Sequence, residues 1–223
     1  MEQHTQKSKE WLEQRRGKFT SSNLDCLLVT GKSESTLGAG AITLCYEKLA
    51  ERLSTETRSF KSQYTDWGID HEEEAIKFFE DNSSFEVDEA FFVSAPDDMS
   101  EISGGSPDGY VTKVNESDEG DVSFDVAGII EVKCPHDPSI HLHTLIHKEL
   151  PPKNHKKYYA QMQWNMYCCK VDKCYFISYD PRMKDYANKM VVLEIKRDEE
   201  HITLLKERIL IANDFVEELR GKI

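Results

Sequence analysis

The sequence predicts a single α/β domain over residues 1–223, with a central mixed β-sheet flanked by helices. Helix-period segments open the chain, and short apolar or alternating segments bounded by turn residues fill its middle. A further helix, two strands and a last helix close it. The length is enough for one sizeable core, and 39% apolar with 31% charged residues fits a soluble globular protein.

The elements follow in order. Ser8 can cap a short helix carrying Trp11 and Leu12 that ends near Gly17. Thr20, Ser21 and Ser22 lead into a second helix start over residues 23–28. Amides at such a start, near hydroxyls and two arginines, read either as plain caps or as a phosphate cradle. Residues 31–40 form a Ser/Gly-rich loop before a helix through Leu44, Leu49 and Leu53, and residues 54–62 form a polar loop. Asp66-Trp67-Gly68 introduces a helix over 69–80, on which Glu72 shares a face with Ala75, Ile76 and Phe79 while Glu73, Lys77 and Glu80 turn away.

Residues 86–93 and 101–103 read as strands, and Gly104-Gly105 allows a sharp turn before Ser106-Pro107-Asp108. Residues 110–114 continue as a strand, 115–120 form an acidic hairpin tip, and 129–133 form the return strand, ended by Cys134-Pro135. Residues 156–168 are helical, with Tyr158, Gln161, Asn165 and Cys168 along one stripe. Strands over 173–179 and 190–196 precede a helix over 198–220. Its stripe of Ile202, Leu205, Ile209, Ala212, Phe215 and Leu219 reads as core packing.

The chemistry concentrates between Ser103 and Pro135. Gly128 to Lys133 reads as a buried strand interrupted by two charges, and period two puts Glu131 and Lys133 on one face and Ile130 and Val132 on the other. Buried together, a carboxylate and an ammonium must pair or bind an ion. Glu-x-Lys is also a common ion pair on half-exposed strands. With Asp108 brought alongside by a hairpin, two carboxylates near one lysine can hold a hard cation and leave an amine to steer water.

Four histidines, His136, His141, His143 and His147, lie beyond. His143 and His147 have a zinc-compatible spacing, but without a third ligand all four read as surface or substrate-side residues. Six cysteines show no secreted framework and read as reduced thiols. No segment has the length and apolarity of a membrane span or a signal peptide, so no membrane partner is expected.

A net charge of −13 argues against a loose DNA coat but not against an enclosed, locally basic channel. Acids crowd residues 116–121 and 72–81, whereas bases gather at 15–18 and 148–157.

Pro107-Asp108, a spacer and Glu131-Val132-Lys133 resemble the PD-(D/E)xK nuclease signature. The flanking S-P-D-G and G-x-x-E-V-K-C-P are similar to those of the phage lambda exonuclease and YqaJ-type viral recombinase family. The same family is matched by W-x-x-x-R-x-G-x-x-T-x-S from Trp11 to Ser22, by W-G-x-x-x-E from Trp67 to Glu72, by Y-x-A-Q-x-Q-x-x-M from Tyr158 to Met166, and by Tyr179-Asp180-Pro181-Arg182.

The resemblance implies a restriction-endonuclease-like core. It implies a Mg2+-dependent 5′-to-3′ exonuclease, with Mn2+ able to substitute, acting on double-stranded DNA ends and leaving 3′ single-stranded tails for recombination. Glu72, Asp108, Glu131 and the Val132 carbonyl would hold the metal, Lys133 would orient or deprotonate water, and Gln161 would place substrate or water. Arg15, Ser22 and Ser106 would hold a terminal 5′-phosphate. A trimeric ring, a single-strand annealing partner and the cytoplasm of a bacterial host are implied as well. Two alternatives stand beside this reading: an iron–sulfur nuclease of the CRISPR-adaptation type, invited by Cys168, Cys169 and Cys174, and a non-catalytic DNA-end-binding recombination adaptor. The role of residues 115–121 stays open.

Overall fold

A mixed five-stranded sheet organises the computed structural model, which describes residues 8–33, 36–55, 63–116 and 122–223. The polar loop over 54–62 and the acidic hairpin tip lie largely outside the described residues. Helix α1 (Lys9–Arg15) is followed by β1 (Phe19–Thr20), a 3-10 helix (Ser21–Leu28), α2 (Ala39–Leu53) and α3 (Gln63–Asp81). Then come β2 (Phe85–Asp88), β3 (Val93–Ser94), β4 (Ser103–Gly105), β5 (Gly109–Glu116) and β6 (Val122–Lys133). Helices α4 (Pro138–His147) and α5 (His155–Cys169), strands β7 (Lys173–Tyr179) and β8 (Met190–Lys196), and α6 (Glu199–Arg220) complete the chain.

The main sheet has the order β2-β5-β6-β7-β8. All pairs are antiparallel except β6 with β7, where α4 and α5 supply the crossover that a parallel pair requires. A second, three-stranded sheet places β4 between β1 and β3. Between β5 and β6 the register shifts at Val111/Thr112. Gly128 accommodates this irregularity at φ +157°, and a Cβ there would lie 2.5 Å from the Lys173 carbonyl oxygen, so glycine also lets β7 approach.

Both faces of the sheet are covered. Ala75 and Phe79 of α3 pack against Val111, Ile130, Val132 and Ile177 on one side. Met162 and Met166 of α5 pack against Ile129, Cys174 and Phe176 on the other. The far side of α5, through Ala160, Trp164 and Cys168, meets the 3-10 helix, α2 and the stripe of α6 from Ile202 to Val216. Helix α5 is thus enclosed, and every residue from Ala160 to Cys168 is buried.

Local signals fixed several ends. The Ser8 hydroxyl accepts from the Trp11 amide at 3.1 Å, and Asp198 caps α6 by accepting from the His201 amide at 3.0 Å. Other expectations are corrected. Helix α3 already includes Gln63, so Asp66-Trp67-Gly68 lies within it, its glycine cost outweighed by the packing of the buried face. Gly104 and Gly105 are in β4, Gly104 paired with both β1 and β3 and Gly105 with β3, and do not form a turn. The segment over 86–93 divides into β2 and β3, which belong to different sheets. Among the described residues no helix is long and apolar enough to cross a membrane.

Arg208 of α6 is buried, donating from Nε to the Leu27 carbonyl at 2.6 Å and from Nη2 to the Thr36 carbonyl at 3.2 Å. These bonds tie the end of the 3-10 helix and the following loop to the core. Arg208→Ala is expected to cost about 2 kcal/mol, because it strands the buried Leu27 carbonyl. Arg208→Lys should restore only part of this, since one ammonium lacks the guanidinium fork. Urea unfolding of the three proteins checks both expectations.

Candidate active site

Strand β6 sets the geometry. Its alternation sends Ile130 and Val132 toward α3 and sends Ile129, Glu131 and Lys133 toward α5. Glu131 is fully buried and the Lys133 side chain is 25% exposed; the two form an ion pair through Glu131 Oε1 and Lys133 Nζ. The second carboxylate oxygen, Oε2, accepts from Asn165 Nδ2 of α5 at 3.2 Å. The Tyr158 ring, also on α5, lies 5.5 Å from Lys133 Nζ in a cation–π contact.

Asp108 stands where main-chain pairing between β5 and β6 ends. Its amide donates to the Ile130 carbonyl at 3.1 Å, and its Oδ2 accepts from the Val132 amide at 2.7 Å. One carboxylate is therefore fastened to the backbone between the two charged residues of β6. Beyond Lys133 the chain opens into a cleft of about 850 Å³, whose walls include Ser22, Glu72, Val132, Lys133 and Gln161.

The charges act on one another. Burial, then Asp108, pushes the Glu131 carboxyl above the ordinary carboxylate range; Lys133 opposes this and Glu72 adds to it. Burial works against the Lys133 ammonium, yet Glu131 and then Asp108 hold it above the ordinary lysine value. The buried Glu131 thus feels two further carboxylates against a single ammonium. Such a donor set, all oxygen and in excess of its counter-charge, fits a hard divalent cation. Among the described residues no three His, Cys, Asp or Glu side chains are already grouped as a metal cage, and Glu131 is turned onto Lys133 and Asn165.

A second cluster gathers at α1. Arg15 donates from Nη1 to Ser106 Oγ at 2.7 Å and from Nη2 to Thr20 Oγ1 at 3.3 Å, with its guanidinium 4.1 Å from the Trp11 ring centroid. Burial pulls its pKa down to about 10, with Glu51 opposing. Among the described residues no carboxylate forms an ion pair with Arg15. Arg15 and Ser106 do not line the cleft, whereas Ser22, at the start of the 3-10 helix, does.

The structure thus brings Glu72, Val132, Lys133, Gln161 and Ser22 to one cleft, with Asp108 and Glu131 bonded to its β6 wall and Arg15 and Ser106 paired nearby. Sequence reasoning passed over Asn165, whose signal was its place on the Tyr158–Gln161 stripe. It also passed over Lys153 and Lys157, which line the cleft from the basic segment.

Other expectations move. His141 is a core residue, buried, with Nδ1 2.9 Å from Ser178 Oγ and Nε2 2.8 Å from the Asn188 carbonyl oxygen. All six cysteines are free thiols. Cys168 packs on the α6 side of α5, whereas Cys169 and Cys174 belong to the sheet side, and burial raises the pKa of all three.

An alkaline exonuclease from Laribacter hongkongensis is similar with a TM-score of 0.74 and 26% identity, covering 96% of this chain and 97% of its own. The structure of that exonuclease in complex with dAMP gives 0.76 at the same identity and coverage. A phage-related exonuclease from Haemophilus somnus 129PT shares the fold, with a TM-score of 0.70 and 19% identity over 95% of this chain and 98% of its own. A comparison with curated proteins finds no match. Residues 10–172 match the YqaJ-like viral recombinase domain, and the chain belongs to that family.

Proposed function

We propose that the chain is a metal-dependent exonuclease that degrades double-stranded DNA from its 5′ ends and leaves 3′ single-stranded tails. One observation carries the reading. The buried Glu131–Lys133 pair, with Asp108 bonded to the intervening Val132 amide, opens on a cleft that also holds Glu72 and Gln161. Similarity to an alkaline exonuclease over nearly the whole chain supports it.

Mg2+, with Mn2+ as a substitute, would be held by Asp108, Glu131, Glu72 and the Val132 carbonyl, and would supply Lewis-acid stabilisation of the scissile phosphate. Lys133, held charged by its carboxylate neighbours, orients the attacking water and opposes the negative charge that grows on phosphorus oxygens. Gln161 offers hydrogen bonds from the cleft wall to water or substrate.

Arg15, Ser106 and Ser22 take the terminal 5′-phosphate. A guanidinium bonded to neutral hydroxyls has charge to give to an anion. The family resemblance adds a homotrimeric ring around DNA and a single-strand annealing partner.

Asp108→Ala or Glu131→Ala should abolish Mg2+-dependent cleavage, with circular dichroism unchanged, and Ca2+ should bind without supporting turnover because its looser coordination positions water poorly. Full Mg2+-dependent cleavage by either variant would refute the metal site assigned to Asp108 and Glu131. Lys133→Ala should lower kcat by about 10²- to 10³-fold with little change in DNA affinity, and Lys133→Arg should recover only a fraction; single-turnover digestion and binding titrations separate the two quantities. Wild-type protein should digest 5′-phosphorylated linear duplex faster than 5′-hydroxyl duplex, and Arg15→Ala should remove most of that preference. Equal slowing of both substrates would make Arg15 a general backbone contact.

A further inference from the structure

We infer that Asn165 is a positioning residue that fixes the carboxylate plane of Glu131, an assignment that rests on the nuclease reading above. Asparagine is a poor helix former, and it is costly in the interior of a helix buried on all sides. Its amide makes one hydrogen bond, from Nδ2 to Glu131 Oε2 at 3.2 Å, while its own Oδ1 is buried with no hydrogen-bond partner. A leucine of similar size would fill the space without the stranded acceptor but would leave Glu131 Oε2 without this donor. The placement therefore serves the carboxylate.

Glu131 is gripped at both oxygens, Oε1 by Lys133 and Oε2 by Asn165. The lysine is flexible and partly exposed, so the amide on the rigid helix defines the orientation of the carboxylate. Space for that amide comes from β4. A Cβ on Gly105 would lie 2.5 Å from Asn165 Oδ1 and 3.4 Å from its Cα. Gly105 is three residues before Asp108, so the segment that delivers one carboxylate also admits the amide that orients the other.

The test uses Asn165→Leu and Gly105→Ala in the full chain, read by metal-free thermal unfolding, by Mn2+ affinity from calorimetry, and by kcat and KM on linear 5′-phosphorylated duplex. For Asn165→Leu, loss of the stranded acceptor and loss of the bond to Glu131 oppose each other in stability, so the melting temperature should stay close to wild type. Mn2+ affinity and kcat should both fall about 10- to 100-fold, with KM for DNA unchanged. Gly105→Ala, which displaces an intact Asn165, should reproduce the losses in affinity and kcat, and it decides the matter should the leucine variant not fold.

Wild-type kcat and Mn2+ affinity in a folded variant, or losses no larger than the loss of folded protein, would overturn the assignment. A wild-type protein that binds Mn2+ yet cleaves no duplex would remove the nuclease reading alone. The effect of Asn165 on Mn2+ affinity would still decide its role toward Glu131.

Discussion

The burial of Glu131 beside Lys133 is the constraint to which much of the surrounding structure answers. An ionised carboxylate with no solvent exposure needs partners for its oxygens, and a nearby ammonium must be held where it can serve. Period two in β6 puts both charges on the face that α5 covers, so α5 has to be polar where it meets them. It meets this demand with Asn165 at the carboxylate and the Tyr158 ring at the ammonium. The like charge of Glu72 is tolerated in the wall of a cleft, where water or a cation can share it, and that of Asp108 is held on the Val132 amide.

The same helix shows how polar groups are made compatible with full burial. Gln163 donates from Nε2 to the Lys196 carbonyl at 2.9 Å, and its Oε1 accepts from the Asp198 amide at 2.8 Å, so both ends of its side chain are used to join β8 to the cap of α6. Asn165, two residues on, is satisfied on one side only. Gln163 has both ends of its amide satisfied, whereas Asn165 leaves an acceptor unmet beside the buried Glu131 carboxyl.

Much of this was legible in the sequence because the signals were local. Strands β7 and β8 have the boundaries that their β-branched and aromatic runs announce, and Ser8 and Asp198 cap the helices they precede. The Glu131 and Lys133 positions on one face follow from period two alone. What was not legible depends on distant segments. Gly104 and Gly105 read as a turn because glycine permits one, yet they lie in a paired strand, and they are glycine there because Phe92 and Asn165 come too close for any side chain. His141 looked solvent-facing because nothing nearby in sequence shows that Ser178 and Asn188 will enclose it. Asn165 fell on a stripe already noted, but its partner is on a strand more than thirty residues earlier.

Net charge gives the wrong intuition about a nucleic-acid enzyme here, and local structure shows why. The −13 of the whole chain is a sum over faces, whereas binding depends on the potential where a phosphate would lie. Lys133, Lys153 and Lys157 all line the cleft, and Arg15 is close by, bonded to hydroxyls. The Arg15–Ser106 bond also joins α1 to the turn that carries Asp108 two residues later. Under the proposed function, the group that reads the end of a strand and the carboxylate that acts on it are therefore fixed to one another through a single short segment. A terminal phosphate that engages Arg15 must share it with Ser106, so end recognition would be exerted on the same backbone that positions Asp108 against the Val132 amide.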